Sequence, residues 1–210
     1  MSLKKFETFA VFDLETSCLP GPGRRANITE ITIYAVSKND FIKNKSSYKR
    51  IPRIVNKITL LVQPLDKIDD IAAEISGLSN LSLQNESTWD ASTSEMVTMF
   101  LERLQQPVCL IAHNGDRFDF PILKDHFTFT KSDFLEGALA VDSLKAFKYI
   151  DKQRDERNSS YKLVDVFKRT TGLEPKNAHE AEGDVQMLLK TMLFYGTDFL
   201  EYCEKKAIKF

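Results

Sequence analysis

Runs of apolar residues along the chain predict strands first, then alternating strands and helices, and helices at the end. Residues 8–15 are rich in β-forming residues and carry apolar side chains on both alternating faces, which is typical of a strand buried on both sides near the middle of a sheet. Further strands are predicted at residues 28–36, 57–63 and 108–112. This order of elements predicts an α/β domain with a mixed sheet.

Helices are predicted where apolar residues recur at intervals of three and four positions. Five segments are interpreted as helices: residues 71–78, 94–104, a segment containing 120–123, and about 162–171 and 181–195. The last two each stop at a glycine, Gly172 and Gly196. Residues 151–160 are the most polar stretch of the chain, and we expect them to form a surface loop.

Composition narrows the classes of protein to which the chain can belong. Apolar residues make up 42% of the 210 residues, which excludes a disordered or fibrous chain. Lys and Arg total 29 against 30 Asp and Glu, so the formal charge is −1. This balance excludes a strongly basic coat for long nucleic acids, and it also excludes an acidic solvating tail.

The cysteines and the apolar runs point to an intracellular protein. Cys18, Cys109 and Cys203 are odd in number and have no CxxC spacing, so neither a disulfide framework nor structural zinc is expected. The apolar runs are too short to span a membrane, and the first residues contain no secretory signal. We therefore expect a cytoplasmic or nuclear location, or both, and no membrane partner.

Two carboxylates stand at the end of the first predicted strand. Asp13 and Glu15 are two residues apart, so both side chains emerge on the same face of that strand. Because an unpaired buried carboxylate costs several kcal/mol, they either reach solvent or a helix N-terminus at the strand end, or bind a hard cation.

Two further acidic segments follow later in the chain. Directly after the strand at 108–112, Asp116 is expected to cap the next helix, and Arg117 is expected to pair with it on the surface. Asp119 lies between two phenylalanines, where a lone carboxylate is costly. Asp184 borders the core face of the last helix. An isolated histidine such as His179 at a helix start is more often a surface or cap residue than a catalytic base.

The combination of these acids is more specific than any one of them. Four carboxylates come from a central strand, a strand-end helix and a C-terminal helix: Asp13, Glu15, Asp119 and Asp184. Oxygen-only ligands select Mg²⁺ or Mn²⁺ rather than zinc. Such clusters commonly hold two cations, which clamp the attacking and leaving oxygens of a phosphoryl displacement.

These segments resemble the DEDDh 3′→5′ exonucleases, and within them the three-prime repair exonuclease (TREX) family. They are Phe-Asp-Leu-Glu-Thr at 12–16 with Leu-Pro at 19–20, Ile-Ala-His-Asn-Gly-Asp-Arg-Phe-Asp-Phe-Pro at 111–121, and His-Glu-Ala-Glu-Gly-Asp at 179–184. The acidic motifs identify the superfamily, and the long middle string points to TREX. The resemblance runs from about Phe9 to Leu193, which is nearly the whole chain.

The resemblance implies an RNase H-like (DnaQ-like) α/β fold with a mixed five-stranded sheet flanked by helices. A single exonuclease domain would cover residues 1–210, with its catalytic core at about 8–196. Two Mg²⁺ ions, for which Mn²⁺ can substitute, would be bound by the four carboxylates: Asp13, Glu15, Asp119 and Asp184. With His179 as the general base, the implied reaction is phosphodiester hydrolysis that releases 5′-mononucleotides from DNA 3′ ends, on single strands or frayed duplex ends.

The resemblance also implies contacts with the substrate and with a second copy of the chain. The residues implied to contact the 3′-terminal nucleotide are Leu19, Pro20, Ile75, Phe118 and His113. A tyrosine is usual at the Phe118 position, and smaller residues are common at Thr16 and Cys18, which leaves fine substrate preference open. Members of the family are homodimers joined along sheet edges, and the strand at 57–63 is either such an edge or an internal strand.

Two other functions stay open at this point. A DEDDh exoribonuclease would trim RNA 3′ ends, and the motifs do not decide whether the pocket tolerates a 2′-hydroxyl. A non-catalytic nucleic-acid-binding module would keep the same fold without hydrolysis. Every implied catalytic position carries the functional residue type, which favours an enzyme.

Overall fold

One mixed β-sheet organises the computed structural model, which describes residues 6–45, 47, 50–155 and 160–210. The strands are β1 (Thr8–Thr16), β2 (Ile28–Ser37), β3 (Asn56–Leu61), β4 (Val108–Ala112), β5 (Leu139–Asp142) and β6 (Ile208–Lys209). They lie in the order β3-β2-β1-β4-β5-β6, which places β3 at an edge. Because β1 is antiparallel to β2 and parallel to β4, the predicted α/β fold with a mixed sheet is confirmed.

Helices cover both faces of this sheet. In the described part of the chain they are α1 (Lys38–Asn44), α2 (Asp70–Ser76), α3 (Ala91–Glu102), α4 (Asp119–Thr130), α5 (Ser143–Gln153), α6 (Leu163–Thr171) and α7 (Ala181–Lys206). α3 and α4 pack on one face, and α1, α5, α6 and α7 pack on the other. The five predicted helices are all present, and α1 and α5 are two further helices that the apolar pattern did not indicate.

The central position of β1 follows from its two apolar faces. Phe12 and Leu14 pack into the core shared with α3 and α4, whereas Phe9 and Val11 pack into the core shared with α7. All four side chains are at most 4% exposed, as predicted for a strand buried on both sides. The side chains of Asp13 and Glu15 continue the row of Phe9 and Val11, so they emerge on the α7 face.

The sheet is wider than predicted, and the last helix is longer. β6 adds a sixth strand by pairing antiparallel with β5, and two residues are too few to give a periodic signal. Gly196 was expected to end the last helix. Its backbone is indeed non-helical, with φ 55° and ψ −116°, but helical structure resumes and continues to Lys206.

The prediction of a loop at 151–160 is wrong at its start. Residues 151–153 form the last turn of α5, and Asp151 is fully buried, accepting hydrogen bonds from the hydroxyls of Tyr161 and Tyr195. Residues 156–159 of that prediction lie outside the described residues. Among the helices of the described residues, none is both long and apolar enough to cross a membrane.

Candidate active site

Three carboxylates converge where the C-terminal end of β1 meets the first turn of α7. Asp13 and Glu15 come from β1, and Asp184 is the fourth residue of α7, which packs against β1. One carboxylate oxygen of each residue lies within 4.8 Å of the others, and all three side chains are half-buried. A cation between them would be held by oxygen atoms from two elements that are far apart in sequence.

Asp119 reaches the same region from another element. It is the first residue of α4, only 2% exposed, and it accepts a hydrogen bond from the backbone N–H of Leu14. It stands outside the group of three whose oxygens lie within 4.8 Å, yet its charge acts directly on Asp13. The structure therefore brings all four sequence-predicted acids to one end of β1.

Electrostatic repulsion in this cluster opposes ionisation of its members. Burial, together with the charges of Asp119 and Asp184, raises the pKa of Asp13 well above its usual range. Burial and the charge of Asp184 raise the pKa of Glu15 to about 8, and burial raises the pKa of Asp119 to about 7. The protein around the cluster therefore does not fully stabilise the negative charge of these carboxylates when they are ionised.

The donor set fits hard divalent cations. All the converging ligands are carboxylate oxygens, which Mg²⁺ and Mn²⁺ prefer, and the cluster contains no thiolate that would favour zinc. Cations would also neutralise the repulsion that, after burial, contributes to these raised pKa values. We conclude that the residues present match a site for divalent cations.

His179 lies on the exposed segment that leads into α7. Its backbone N–H donates to Oδ1 of Asp184 at 3.2 Å, which ties the segment to the cluster. Asn177 and His179 both have positive φ, 53° and 69°, and the Asn177 side chain donates to Glu180 at 2.8 Å. The backbone of His179 is therefore next to Asp184, and the residue is open to solvent.

Four of the predicted site residues line one cavity beside the cluster. The cavity has a volume of about 360 Å³, and Glu15, Leu19, Ile75 and Phe118 are among its lining residues. Leu19 is 76% exposed and Ile75 is 51% exposed, so two large apolar side chains are presented to solvent at its rim. Pro20 instead lines a neighbouring cleft of about 480 Å³ on another side of Phe118.

The structure gives His113 partners within the protein. Nδ1 of its ring is 2.9 Å from the Ser143 hydroxyl, and Nε2 is 2.8 Å from the Tyr161 carbonyl oxygen. Burial lowers the pKa of this histidine, which favours the neutral ring. With both nitrogens occupied, His113 is placed to hold the segment after β4.

The expectations for Asp116 and Arg117 are wrong. Asp116 pairs with Lys145 across the surface and not with Arg117. The residue preceding α4 is Phe118, and no side-chain cap hydrogen bond is made there. Arg117 lines the same cleft as Pro20.

Glu30 is a fifth carboxylate near the cluster, and the motifs did not indicate it. It lies opposite Glu15 in the β1–β2 register, and its charge contributes to the raised pKa values of Asp13 and Glu15. Burial raises the pKa of Glu30 as well. The available signal was Glu30 itself, the single charged residue in the strand predicted at 28–36.

Comparisons with known proteins agree on one family. The Exonuclease family profile, RNase_T, matches residues 10–192. Three prime repair exonuclease 2 of Mus musculus is 31% identical over 211 residues, covering 96% of this chain and 89% of the relative. Three-prime repair exonuclease 1 of Homo sapiens is also 31% identical, over 97% of this chain and 68% of the relative.

Solved structures show the fold. The nuclease domain of 3′hExo, described as a DEDDh family member bound to rAMP, matches with a TM-score of 0.70 at 13% identity, covering 97% of this chain and 96% of that one. E. coli exonuclease I in complex with a dT13 oligonucleotide matches with a TM-score of 0.73 at 16% identity. That match covers 95% of this chain and 43% of the exonuclease I chain. The architecture is that of the RNase H-like exonucleases.

Proposed function

Because this chain belongs to the Exonuclease family, among the three-prime repair exonucleases, it is a 3′→5′ exonuclease, and we propose that its substrate is the 3′ end of DNA. It would remove 5′-mononucleotides from single strands and from frayed duplex ends. The observation that carries the proposal is the convergence of carboxylates from β1 and α7 beside an open apolar cavity. A single exonuclease domain over residues 1–210 is part of this proposal.

We assign the metal site to four carboxylates: Asp13, Glu15, Asp119 and Asp184. Two Mg²⁺ ions bound there would supply a nucleophile at neutral pH and stabilise the charge on the transferring phosphoryl group, and Mn²⁺ would substitute. Glu15 belongs both to the cluster and to the cavity wall, so it places the scissile phosphate next to the terminal nucleotide. Asp119 accepts a hydrogen bond from the Leu14 N–H, which connects the start of α4 to the end of β1.

We assign the general base to His179. Its backbone is tied to Asp184, so its imidazole can reach a water molecule near the scissile phosphate from the solvent side. A histidine in this position accepts the proton of the attacking water and later releases it to solvent. The positive φ at His179 directs the segment back over the first turn of α7.

The apolar cavity supports recognition of the terminal nucleotide without recognition of its sequence. Leu19, Ile75 and Phe118 offer apolar surface on which any base can stack or wedge, since every base has an aromatic face. Pro20 stands on the neighbouring side of Phe118, where the strand would approach. We leave His113 out of the substrate-binding set and assign it to positioning.

Matched DNA and RNA oligomers test the choice of DNA. We expect faster release of mononucleotides from the DNA strand at equal concentration of 3′ ends. Equal or faster cleavage of RNA would overturn the DNA assignment while leaving the exonuclease chemistry in place.

An Asp184→Asn variant and EDTA test the two-metal assignment. Both should abolish release of mononucleotides, because each removes cation binding at the cluster. Asp198→Asn, on an exposed aspartate of the same helix that pairs with Arg154, is the matched control and should retain activity. Hydrolysis that persists in EDTA would exclude the mechanism.

A homodimer formed along β3 is the remaining part of the proposal. β3 lies at the edge of the sheet, and its side chains alternate between exposed and half-buried, which suits pairing with a second copy. Sedimentation equilibrium should give twice the 24.0 kDa of one chain. A mass of 24.0 kDa at micromolar concentration would contradict the dimer.

A further inference from the structure

Phe210 follows β6, and a row of aromatic rings connects it to the region of Asp13 and Asp119. Its backbone N–H donates to the Ala138 carbonyl at 2.9 Å, which extends the pairing of β6 with β5. Its partly buried ring stands 5.7 Å from the ring of Phe120, edge to face, and 4.5 Å from the ring of Phe134. Lys124 Nζ lies 4.5 Å from the centre of the Phe210 ring.

Phe120 is the middle ring of this row, and it is confined on several sides. The ring of Phe12 lies 5.8 Å away on β1. A Cβ at Gly115 would lie only 2.8 Å from the Phe120 ring, so the turn after β4 also packs closely against this ring. Phe210 forms a further wall of this enclosure.

The row joins the two elements that carry buried acids. Phe12 directly precedes Asp13 on β1, and Phe120 directly follows Asp119 at the start of α4. The contact between Phe12 and Phe120 therefore links the backbone next to Asp13 with the backbone next to Asp119, and Phe210 packs edge to face against Phe120. Because Phe210 and Asp119 are far apart in the sequence, the sequence alone does not reveal this connection.

We propose that Phe210 is a positioning residue for the metal site, acting through Phe120 to set Asp119 relative to Asp13. The inference rests on the proposed function, because it concerns the cations assigned to these carboxylates. Removing the ring leaves a cavity beside Phe120, and a buried aromatic pair contributes more than its area alone. The start of α4 then relaxes toward the cavity, and cation sites tolerate displacements of only about 0.5 Å.

Binding of Mn²⁺ in the absence of DNA is the direct readout. Titration of Phe210→Ala, followed by electron paramagnetic resonance, should show an affinity for Mn²⁺ reduced about 10-fold or more, the usual effect of losing a residue that orients a ligand. Phe210→Leu refills most of the volume and should restore much of the affinity. Ile208→Ala, at a 61% exposed position on β6, is the matched control and should bind Mn²⁺ like the wild type.

Kinetics separate positioning from a general loss of stability. Because Phe210 does not line the nucleotide cavity, KM for DNA should stay near the wild-type value while kcat falls at low Mn²⁺ and recovers at high Mn²⁺. If Phe210→Ala unfolds, Phe210→Leu carries the same test at a smaller amplitude.

Two results have distinct meanings for this inference. A lowered melting temperature with unchanged Mn²⁺ affinity in Phe210→Ala, or in Phe210→Leu if the alanine variant does not fold, would overturn the positioning role. A wild-type protein that binds no Mn²⁺ and releases no mononucleotides would instead overturn the proposed function.

Discussion

At the residue scale, the carboxylates at the end of β1 show how binding and stability oppose each other. Asp13 and Glu15 are kept close to Asp184, although burial together with this proximity raises their pKa values. Without cations the arrangement costs folding free energy, and with cations the same arrangement becomes the binding site. The stability of the metal-free protein should therefore report directly on the cluster.

Glu15→Gln should make the metal-free protein more stable at high pH. The pKa of Glu15 is raised to about 8 in the folded state, so between its ordinary value of 4.5 and 8 the folded state holds more protons than the unfolded state. The contribution of Glu15 to stability is thus present at low pH and is lost as the pH rises to about 8. Each unit of pKa corresponds to about 1.4 kcal/mol, which gives a few kcal/mol in all.

Urea denaturation in EDTA from pH 5 to pH 9 measures this effect as the difference between wild type and Glu15→Gln. Glu95→Gln, at an exposed position of α3, is the control. A difference that does not change with pH would contradict the raised pKa of Glu15. Saturating Mg²⁺ should reverse the order of the two proteins.

His179→Ala should bind DNA and Mn²⁺ normally and lose rate. A positioned acid–base group contributes about 10²–10⁴-fold, so kcat should fall within that range. Single-turnover hydrolysis of a labelled strand measures the loss, with Glu174→Gln on the same exposed segment as the control. An unchanged rate would remove His179 from the role of base.

At the element scale, the first turn of α7 depends on the absence of a side chain at Gly183. A Cβ there would lie 1.9 Å from the Asn177 carbonyl oxygen, so the segment carrying His179 can approach the helix only over a glycine. Gly183→Ala should lower kcat by 10-fold or more, because the segment must move away from Asp184.

Steady-state kinetics and thermal unfolding of this variant distinguish local displacement from unfolding. Gly21→Ala, where an added Cβ meets no atom within 4 Å, should behave like the wild type. Wild-type kcat in Gly183→Ala would show that the close approach is dispensable.

Elements were predictable where the apolar pattern was long. The nine residues of β1 are buried on both faces, and their pattern identified the centre of the sheet. β5 and β6 have four and two residues, too few for a period of two to stand out. Helical structure beyond Gly196 depends on packing of residues such as Phe199 and Cys203 against β1 and α5, which local propensity does not reveal.

Site residues, too, were predictable only where the signal lay in the local sequence. Asp13 and Asp119 could be identified as candidate site residues because they interrupt apolar segments, where an unpaired carboxylate is costly to bury. The partners of His113, Ser143 and Tyr161, are 30 and 48 residues away in sequence, so its engagement within the protein could not be foreseen. The pairing of Asp116 with Lys145 depends likewise on where α5 begins.

At the scale of the whole molecule, a formal charge of −1 suits a small footprint on one strand end. Four acids are assigned to cations, so two Mg²⁺ ions would place about four positive charges where the phosphate binds. Wrapping a long nucleic acid needs many basic contacts, and engaging a single strand end needs few.

The salt dependence should accordingly be shallow. For two or three phosphate contacts on a single strand, the slope of log kcat/KM against log salt should be about −2 or less steep. Measurement between 50 and 300 mM KCl at fixed Mg²⁺ gives this slope, since about 0.7 counterions are released for each contact on a single strand. A slope near −6 would indicate extended binding along the strand.

The most direct measurement is the release of nucleotides from a single-stranded DNA labelled at its 3′ end. The account predicts that labelled 5′-mononucleotide appears first, only with Mg²⁺ or Mn²⁺, and that Asp184→Asn abolishes its release. Release of label in EDTA, internal cleavage into oligonucleotides, or full activity of Asp184→Asn would contradict it.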